Sequence, residues 1–381
     1  TVFNSLLAGS PNATSLFNSG ALPPLFVDDA ALGEALSLIS DPAEYIAALE
    51  SLIVDSSGAL VFSSLSLQNQ AVDTVINRII SLRDLAAADG RMTGLAAGDA
   101  YSIGNISMWV QGFGNAAEQD NRDGFLGYDA DTYGVAFGAD TLLNDNLRLG
   151  AAFTYANADV DTNTVNNNVD IDSYQGSLYA SYESGRWFLD GVASYASNDY
   201  DSRRNVVVGA VNRTARADID GDQWGIRGRF GYSFDYQGMD LTPYASLHYV
   251  NLEVDGYTET GAGAANLTVA DQDYDHLQSA LGLSVSKQIE TANGVNYVPE
   301  VHVAWLHEFE DEAQANTSTF VGGGPSFSTT GLDPADDSLN AGASLAIYAT
   351  EKVDVRAAYD YEVKEDYDAH AGQLVVRYKF Y

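Results

Sequence analysis

The sequence contains no cysteine, and this absence excludes a disulfide framework, a thiolate zinc site and a cysteine nucleophile. Basic residues are few, because 18 lysines and arginines stand against 53 acidic residues, giving a formal net charge of −35. Such a charge excludes a nucleic-acid binder that works by neutralising phosphates. No apolar stretch is long enough for a transmembrane helix. No basic-then-apolar leader begins at Thr1, as expected of a mature chain or a fragment.

Glycine, tyrosine and apolar residues are abundant instead. The 381 residues include 35 glycines and 23 tyrosines, and 46% of the chain is hydrophobic, which is unlike an acidic disordered protein. The length allows two or three ordinary domains or one large all-β unit. Glycines and aromatic residues in alternating segments are typical of an outer-membrane β-barrel.

The C-terminal two-thirds of the sequence alternates between apolar residues and small or polar ones. Over residues 147–155 the odd positions include Leu149 and Phe153, whereas the even positions include Arg148 and Thr154. Residues 224–234 and 353–361 repeat the pattern. Period-two alternation predicts strands with one dry face and one wet face. A large soluble β-sandwich would show the same alternation, so this pattern alone leaves two architectures open.

The lengths of the connections favour a membrane barrel over a sandwich. Short turns alternate with mostly long loops along the chain, so the two kinds lie at opposite ends of an up-and-down barrel, as in outer-membrane proteins. The bilayer core also requires a closed sheet. We therefore predict an all-β fold, a transmembrane barrel of antiparallel strands. The twelve predicted strands cover residues 105–115, 128–141, 146–157, 172–183, 186–197, 222–235, 240–251, 275–289, 295–310, 337–349, 352–363 and 369–380.

Aromatic residues stand near the ends of many predicted strands. Amphipathic rings favour the bilayer interface and form two girdles around a membrane barrel. The residues that we assign to these girdles include Tyr128, Tyr155, Tyr182, Trp187, Tyr195, Trp224, Phe234, Tyr249, Trp305, Phe309 and Tyr361.

Residues 1–100 lack the alternation and contain helix signals instead. Asp41 is a suitable N-cap, Pro42 suits the first helical position, and Glu44 can complete a capping box. A second helix is predicted over about residues 65–88, with Val72 and Ile79 in its apolar stripe.

The second helix is predicted to run through the barrel lumen. Twelve tilted strands leave a bore of roughly 12 Å, and a helix with its side chains is about 10–12 Å wide, so a single helix would plug the bore. Packing of the helix outside, on the periplasmic surface, is the alternative. The predicted lumen residues of the helix are Asp73, Asn77, Arg78, Arg83 and Asp84.

Charged residues on the inward face of the strands offer partners to this helix. Both signs are present, so we expect ion pairs between the helix and the wall. The predicted bore-facing residues are Arg148, Asp190, Arg227, Arg229, Glu300, Glu308, Asp354, Arg356 and Arg377.

Several motifs, taken in order, resemble the β-domain of autotransporters, the type V secretion proteins. WVQGFG at 109–114 is similar to the first strand of that family, and GYDADTYGVAFGAD at 127–140 is similar to the second. WLHEF at 305–309 resembles the W-x-H-E-F element, and LVVRYKF at 374–380 resembles the C-terminal assembly signal. The resemblance covers about residues 40–381.

The resemblance implies a twelve-stranded barrel with an N-terminal helix through its lumen. It implies a translocator in the bacterial outer membrane that secretes an N-terminal passenger and anchors it, without catalysis and without a cofactor. The implied partners are outer-membrane lipid, lipopolysaccharide, the barrel-assembly machinery, periplasmic chaperones and the passenger, with no nucleic acid, and the barrel is expected to be a monomer. The expected division is 1–62 for the passenger end or linker, 63–100 for the pore-spanning helix and linker, and 101–381 for the barrel.

The family resemblance also implies site residues and two departures. The implied assembly signal comprises Gly372, Leu374, Val376, Tyr378 and Phe380. The family usually ends at the terminal aromatic residue, so Tyr381 is one residue extra. Some members cleave themselves between two asparagines in the bore. Asp73 and Thr74 occupy that position here, and we do not expect cleavage by this route because cyclisation needs an asparagine side chain.

An outer-membrane diffusion channel, which needs an open lumen, or a surface adhesin barrel is the alternative function. A barrel hydrolase would need an oriented Ser–His pair, and nothing in the sequence orients a third member beside Ser246 and His248. The histidines lack the spacing of a metal centre and are predicted to be singly placed. The acidic segments 161–172 and 271–275 are predicted to be solvated, with binding of divalent cations as the alternative.

Overall fold

The structure is a computed structural model that describes residues 9–55, 57–88, 106–163, 167–291, 295–310, 315–333, 335–348 and 353–378. For residues 84–88, 353–354 and 377–378 it describes the backbone alone. The largest element is a closed antiparallel barrel, and helices precede it in the chain.

Twelve long strands form the barrel wall. Each strand pairs with its neighbour in the chain, and the last strand pairs with the first, so that Gly112 lies opposite Leu374 and the sheet closes. The closed twelve-stranded barrel is therefore confirmed. The strands are β1 (Ile106–Gln119), β2 (Tyr128–Asn144), β3 (Leu147–Thr162), β4 (Asn168–Ser184), β5 (Trp187–Val208), β6 (Val211–Tyr232), β7 (Met239–Val254), β8 (Gln272–Ser286), β9 (Asn296–Glu308), β10 (Asp337–Tyr348), β11 (Val353–Lys364) and β12 (Tyr367–Tyr378).

Apolar side chains of the strands point away from the barrel, not into a dry centre. In β3, Leu149 and Phe153 are exposed, whereas Arg148 and Thr154 are buried in the lumen. In β6, Ile226 is 55% exposed. Apolar side chains that are exposed on strand after strand around the barrel need a nonpolar surrounding, and a bilayer supplies one. This orientation excludes the soluble sandwich, whose apolar faces would pack against each other.

Aromatic residues on the outward face form cross-strand pairs near both ends of the apolar band. At the outer end the ring centroids of Tyr155 and Tyr174 are 5.3 Å apart, and at the inner end those of Tyr182 and Trp187 are also 5.3 Å apart. Our assignment of Tyr128 to the girdle is wrong, because this side chain is 3% exposed and faces the lumen. Inward and outward positions alternate along β2, and Tyr128 has the inward parity.

The strands extend further at the outer end than the sequence analysis predicts. Residues 198–221, predicted as a long loop, are the outer halves of β5 and β6, joined by a tight turn at Gly209, whose φ is +54°. Val206 and Val208 continue the inward alternation, but aspartates replace apolar residues on the outward face. Above the bilayer that face meets water, which explains the change of residue type.

Residues 9–55 of the described chain form four short helices: α1 (Pro11–Ser19), α2 (Leu22–Asp28), α3 (Ala30–Leu38) and α4 (Pro42–Glu50). The predicted start of α4 is confirmed, because the side chain of Asp41 accepts hydrogen bonds from the backbone N–H groups of Ala43 and Glu44. The sequence analysis did not identify α1, α2 and α3.

These helices pack on the outer loops of the barrel. We call this unit the outer cap and define it as residues 9–54, 255–270 and 315–333. Segments 257–258, 267–269, 315–320 and 327–330 form its four-stranded sheet. Leu25 and Leu49 of the helices share one buried cluster with Phe320 of the sheet and Val206 of the β5–β6 hairpin. Asn12 of α1 joins the sheet edge, since its amide exchanges two hydrogen bonds with the backbone of Thr330.

A long helix, α5 (Ala59–Ala88), follows the four short helices in the chain and runs through the lumen. It begins six residues before the predicted start at 65. Its side chains meet inward residues of widely separated strands, such as Tyr200 of β5, Asp140 of β2 and Gln373 of β12. None of the helices within the described residues combines the length and apolarity that a bilayer-crossing helix requires.

Candidate functional site: the helix in the barrel lumen

The helix α5 is buried on most of its circumference because the barrel wall surrounds it. Val72, Val75 and Ile79 pack against inward side chains that include Trp109 and Ala152. Polar residues of the helix are buried as well, and the exposed fraction of Arg78 is only 2%. Buried polar groups need partners, and the inward face of the strands supplies them.

The most deeply buried of these ion pairs joins the helix to β2. The Nε atom of Arg78 lies 2.9 Å from a carboxylate oxygen of Asp140, and Nη2 of Arg78 donates to Ser107 Oγ at 2.8 Å. The other carboxylate oxygen of Asp140 pairs with Arg148 of β3. The hydroxyl of Tyr179 also donates to Asp140, at 3.1 Å. One buried carboxylate therefore compensates two buried guanidinium groups.

One turn further along the helix, Arg83 makes a second ion-pair group with β4 and β5. Its Nη2 atom lies 2.6 Å from Asp190 and its Nε atom 3.2 Å from Glu183. The guanidinium carbon stands 3.8 Å from the centre of the Phe188 ring, a cation–π distance. Arg229 approaches the same Asp190 at 4.0 Å, so the carboxylate is shared by two cations.

A third group links the helix to β6. Arg227 pairs with Asp73 and donates to Asn69 Oδ1 at 3.0 Å. Arg227 also lies 3.0 Å from Nδ1 of His248. Because arginine can only donate, Nδ1 of His248 is the acceptor and its Nε2 carries the proton.

Two further pairs contain predicted bore-facing residues. Glu300 of β9 stands 3.6 Å from Arg356 of β11, and Glu308 of β9 pairs with His276 of β8 at 2.7 Å. All four residues occupy inward positions. Asp354 and Arg377 lie opposite each other in the β11–β12 register. Their side chains and that of Asp84 fall outside the described part, so their predicted contacts stay predictions.

The predicted assembly signal lies on β12. Leu374 and Val376 are exposed on the outward face, at 53% and 46%, and Gly372 is exposed on the same face. For Tyr378 the backbone alone is described, and Phe380 lies outside the described residues.

The helix does not fill the bore, which corrects the estimate that a single helix plugs it. It packs mainly against β1 to β6, and a cavity of about 690 Å³ remains along β7 to β12. Contacts with the far wall are few and include Lys364, which lies 5.9 Å from the Phe62 ring, Gln373, which accepts a hydrogen bond from Asn77 at 2.6 Å, and Tyr348, which lies 3.5 Å from the Ser81 carbonyl. Small inward side chains such as Ala304 leave the space between.

Asp140 is the functional residue that the sequence reasoning missed. Its signal was available, because apolar Val135 and Phe137 mark the outward parity of β2 and Asp140 has the opposite, inward parity. The histidines also differ in detail from the prediction of singly placed residues, since His276 and His302 each contact a carboxylate. Among the residues whose positions are described, no three His, Asp or Glu side chains gather closely enough to hold a metal ion.

Comparison with known proteins identifies the fold family. The family model of the autotransporter β-domain matches residues 108–360, about two-thirds of the chain. Outer membrane protein B of Rickettsia typhi is 28% identical over 395 residues, which covers 100% of this chain and 24% of that protein. The esterase EstA of Pseudomonas aeruginosa is 26% identical over 69% of this chain and 41% of its own length.

Solved structures show the same architecture. The translocator domain of the autotransporter NalP from Neisseria meningitidis has a TM-score of 0.59 and 17% identity, and the match covers 81% of this chain and 98% of that one. The β-domain of the Bordetella autotransporter BrkA has a TM-score of 0.54 and 17% identity, over 72% of this chain and 100% of that one. The chain spans about a quarter of the length of the rickettsial relatives. With its closed barrel, lipid-facing surface and lumen helix, the chain belongs to the autotransporter β-domain family and is an integral outer-membrane translocator domain.

Proposed function

We propose that this translocator carries an N-terminal passenger through its barrel to the cell surface and then anchors it by α5. One observation carries the proposal, namely that the chain passes once through the lumen. The helical part of the outer cap, residues 9–54, lies N-terminal to α5, whereas β1 begins and β12 ends at the opposite end of the barrel. Chain preceding the outer cap would therefore emerge at the cell surface.

We divide the chain into three segments according to this path through the barrel. We assign residues 1–62 to the end of the passenger or its linker, 63–100 to the helix and the linker that follows it, and 101–381 to the barrel. The three ion-pair groups of Arg78, Arg83 and Asp73 support the anchoring role of α5, because pulling the helix out would leave buried charges uncompensated. We assign this domain a transport role and no catalysis.

The outward face of the barrel carries features that suit its assembly and its surroundings. Leu374 and Val376 present an apolar ridge on the strand that closes the barrel, and we assign this ridge to recognition by periplasmic chaperones and the barrel-assembly machinery. At the outer end, Tyr155 donates to Asp172 at 2.7 Å. We infer that the part of the barrel surface around this pair meets the lipopolysaccharide headgroups. We also infer that the barrel is a monomer.

Surface display of a reporter tests the function. An epitope joined ahead of Thr1 should be digested by protease added to intact cells. Deleting β12 removes closure of the sheet and should abolish display. A reporter that stays protected in intact cells, although the barrel is folded in the outer membrane, would contradict the proposal.

A further inference from the structure

We propose that the cavity between α5 and the far wall of the barrel binds a linear aliphatic di- or polyamine. The inference rests on the proposed function in one respect, since α5 must stay in the lumen as the anchor. It assigns the barrel a small-molecule ligand, which secretion and anchoring do not require.

The cavity is long and has the size of a small-molecule site. Its lining residues on β11 run from Arg356 near the inner end to Lys364 at the outer end. These residues span roughly 20 Å along the axis of a barrel whose strands tilt by about 40°. The volume of about 690 Å³ lies within the range of ligand pockets, roughly 300–1,000 Å³. An elongated ligand suits these dimensions.

The outer half of the cavity is acidic. Strands β9 and β11 contribute Glu308, Asp360 and Glu362 to its lining there, and Lys364 is their only lysine or arginine in this half. Within the described residues, neither Asp360 nor Glu362 forms an ion pair with lysine or arginine, and Asp360 contacts His302 at 2.9 Å. Carboxylates that lack a strong cationic partner inside low-dielectric walls attract cations.

The spacing of two of these carboxylates fits a diamine. Asp360 and Glu362 stand two residues apart on the inward face of β11, so about 6–7 Å separates their positions along the strand. The nitrogen atoms of an extended four-carbon diamine have the same separation. Among the residues whose positions are described, no three His, Asp or Glu side chains could hold a metal ion. An organic cation with two separated charges therefore fits better than a metal ion.

The cavity also offers apolar and aromatic surfaces to such a ligand. Ile76 and Ile80 of α5 line it, and methylene groups of an amine would pack against them. At the outer end, Nζ of Lys364 lies 4.4 Å from the centre of the Tyr367 ring and 5.9 Å from that of Phe62. These cation–π distances show that the cavity already accommodates one ammonium group of the protein itself.

An unpartnered acceptor stands on the helix at the depth of the carboxylates. Gln70 lines the cavity with an exposed fraction of 7%, and its Oε1 has no hydrogen-bond partner among the described residues. Gln70 lies about 12 Å along the helix from Phe62, the residue beside Lys364, and Asp360 lies about 10 Å inward of Lys364 along the barrel axis. Gln70 and Asp360 are therefore at similar depths on the helix and on the far wall. A buried acceptor needs a donor, which a protonated amine supplies.

Calorimetric titration of the detergent-folded 381-residue protein with putrescine tests the proposal. The matched ligand is n-butylamine, which has the same carbon chain but lacks the second ammonium group. We expect saturable binding of putrescine at one site, about tenfold tighter than that of butylamine, and retention of this binding when MgCl₂ is added. Equal binding of the two amines, or complete displacement by Mg²⁺, would overturn the site, because either result indicates diffuse attraction to an acidic protein.

Charge-matched variants locate the site. Asp360→Asn combined with Glu362→Gln should weaken putrescine binding about tenfold or more. Asp199→Asn combined with Asp201→Asn removes the same charge at the same spacing on the outward face of β5 and should leave the affinity unchanged. Equal losses in the two double variants would contradict the assignment to the cavity.

A steric variant keeps the test independent of charge and of the folding of the charge variant. Ala304→Trp on β9 places an indole in the cavity and should abolish putrescine binding, whereas Ala341→Trp on the outward face of β10 should retain it. Display of the epitope-tagged chain on intact cells is measured in parallel. A wild-type chain that displays the epitope but binds no putrescine refutes the amine site alone. A chain that binds putrescine but displays nothing refutes the secretion function alone.

Discussion

Arg78 of the lumen helix and Asp140 of the second strand form a fully buried ion pair, with 2.9 Å between Nε and the carboxylate. The carboxylate also pairs with Arg148. Desolvation of charges is costly, and the geometry here offsets it with charge-assisted hydrogen bonds from Arg78, Arg148 and Tyr179. The helix is thereby tied to one wall of the barrel at a defined depth.

Asp140→Asn should therefore destabilise the protein strongly. The change removes the negative charge that faces the guanidinium groups of Arg78 and Arg148, and the loss of one member of a buried pair costs about 3–5 kcal/mol. Denaturant unfolding of the detergent-folded protein measures the loss. Asp129→Asn, on the outward face of the same strand, is the matched control and should lie within about 0.5 kcal/mol of the wild type. Equal effects of the two changes would show that Asp140 does not hold the helix.

Arg83→Lys tests whether guanidinium geometry matters at the second ion-pair group. Lysine keeps the positive charge, but its ammonium group cannot pair with Asp190 and Glu183 and also stack on the ring of Phe188, as the guanidinium group does. We expect the helix to become more accessible, seen as faster hydrogen exchange at its inner end than in the wild type. Arg203→Lys, at an exposed position on the outer part of β5, should have no such effect. Unchanged exchange in both variants would mean that charge alone is sufficient.

Gly134→Ala adds only one methyl group but should disturb the packing of the side chains that face the lumen. A Cβ atom at Gly134 would overlap the ring of Phe113, its cross-strand partner. Overpacking of this kind costs about 1–3 kcal/mol. Gly176→Ala on β4 meets no atom within 4 Å and is the control. Thermal unfolding monitored by loss of the folded form in detergent gives the comparison, and a Gly134 variant as stable as the Gly176 variant would contradict the packing argument.

The outer cap should loosen in acid. Hydrogen bonds from Arg213 lower the pKa of Asp29, a group that lies outside the membrane. A carboxylate with a lowered pKa in the folded state contributes stability above its unfolded pKa of about 3.9 and loses that contribution as the pH falls through the folded value. We therefore expect protease cleavage within residues 9–54 to increase below about pH 4.

The matched variants make this pH prediction specific. Asp29→Asn should remove most of the pH dependence and leave the cap equally labile at pH 7 and at low pH. Glu34→Gln, at an exposed position of α3, should retain the behaviour of the wild type. A cap whose cleavage increases with acid to the same extent in all three proteins would assign the effect to other groups.

The sequence predicts the barrel well because lipid and lumen impose opposite demands on alternate residues. The same rule locates Arg148 and Arg227 correctly and would have located Asp140. It fails at residues 198–221, where Asp199 and Asp201 replace the outward apolar residues and remove the contrast on which the prediction depends.

The position of the helix within the lumen could not be predicted in this way. A diameter estimate treats the bore as a circle, whereas the space actually left depends on the size of each inward side chain. Bulky residues such as Trp109 and Tyr179 contact the helix on one wall, and small residues such as Ala304 line the other. Likewise α1, α2 and α3 are short, and their burial depends on loops distant in sequence.

The outer cap has a mechanical consequence for the threaded chain. Four helices and a four-stranded sheet are far wider than a lumen in which one helix and a narrow cavity already take up the space. The cap includes loops of the barrel itself, so on the proposed route of secretion it can form only after residues 9–54 have passed through the lumen. Once folded, the cap is too wide to enter the lumen. On the proposed route of secretion, the polypeptide therefore cannot return toward the periplasm unless the cap unfolds first.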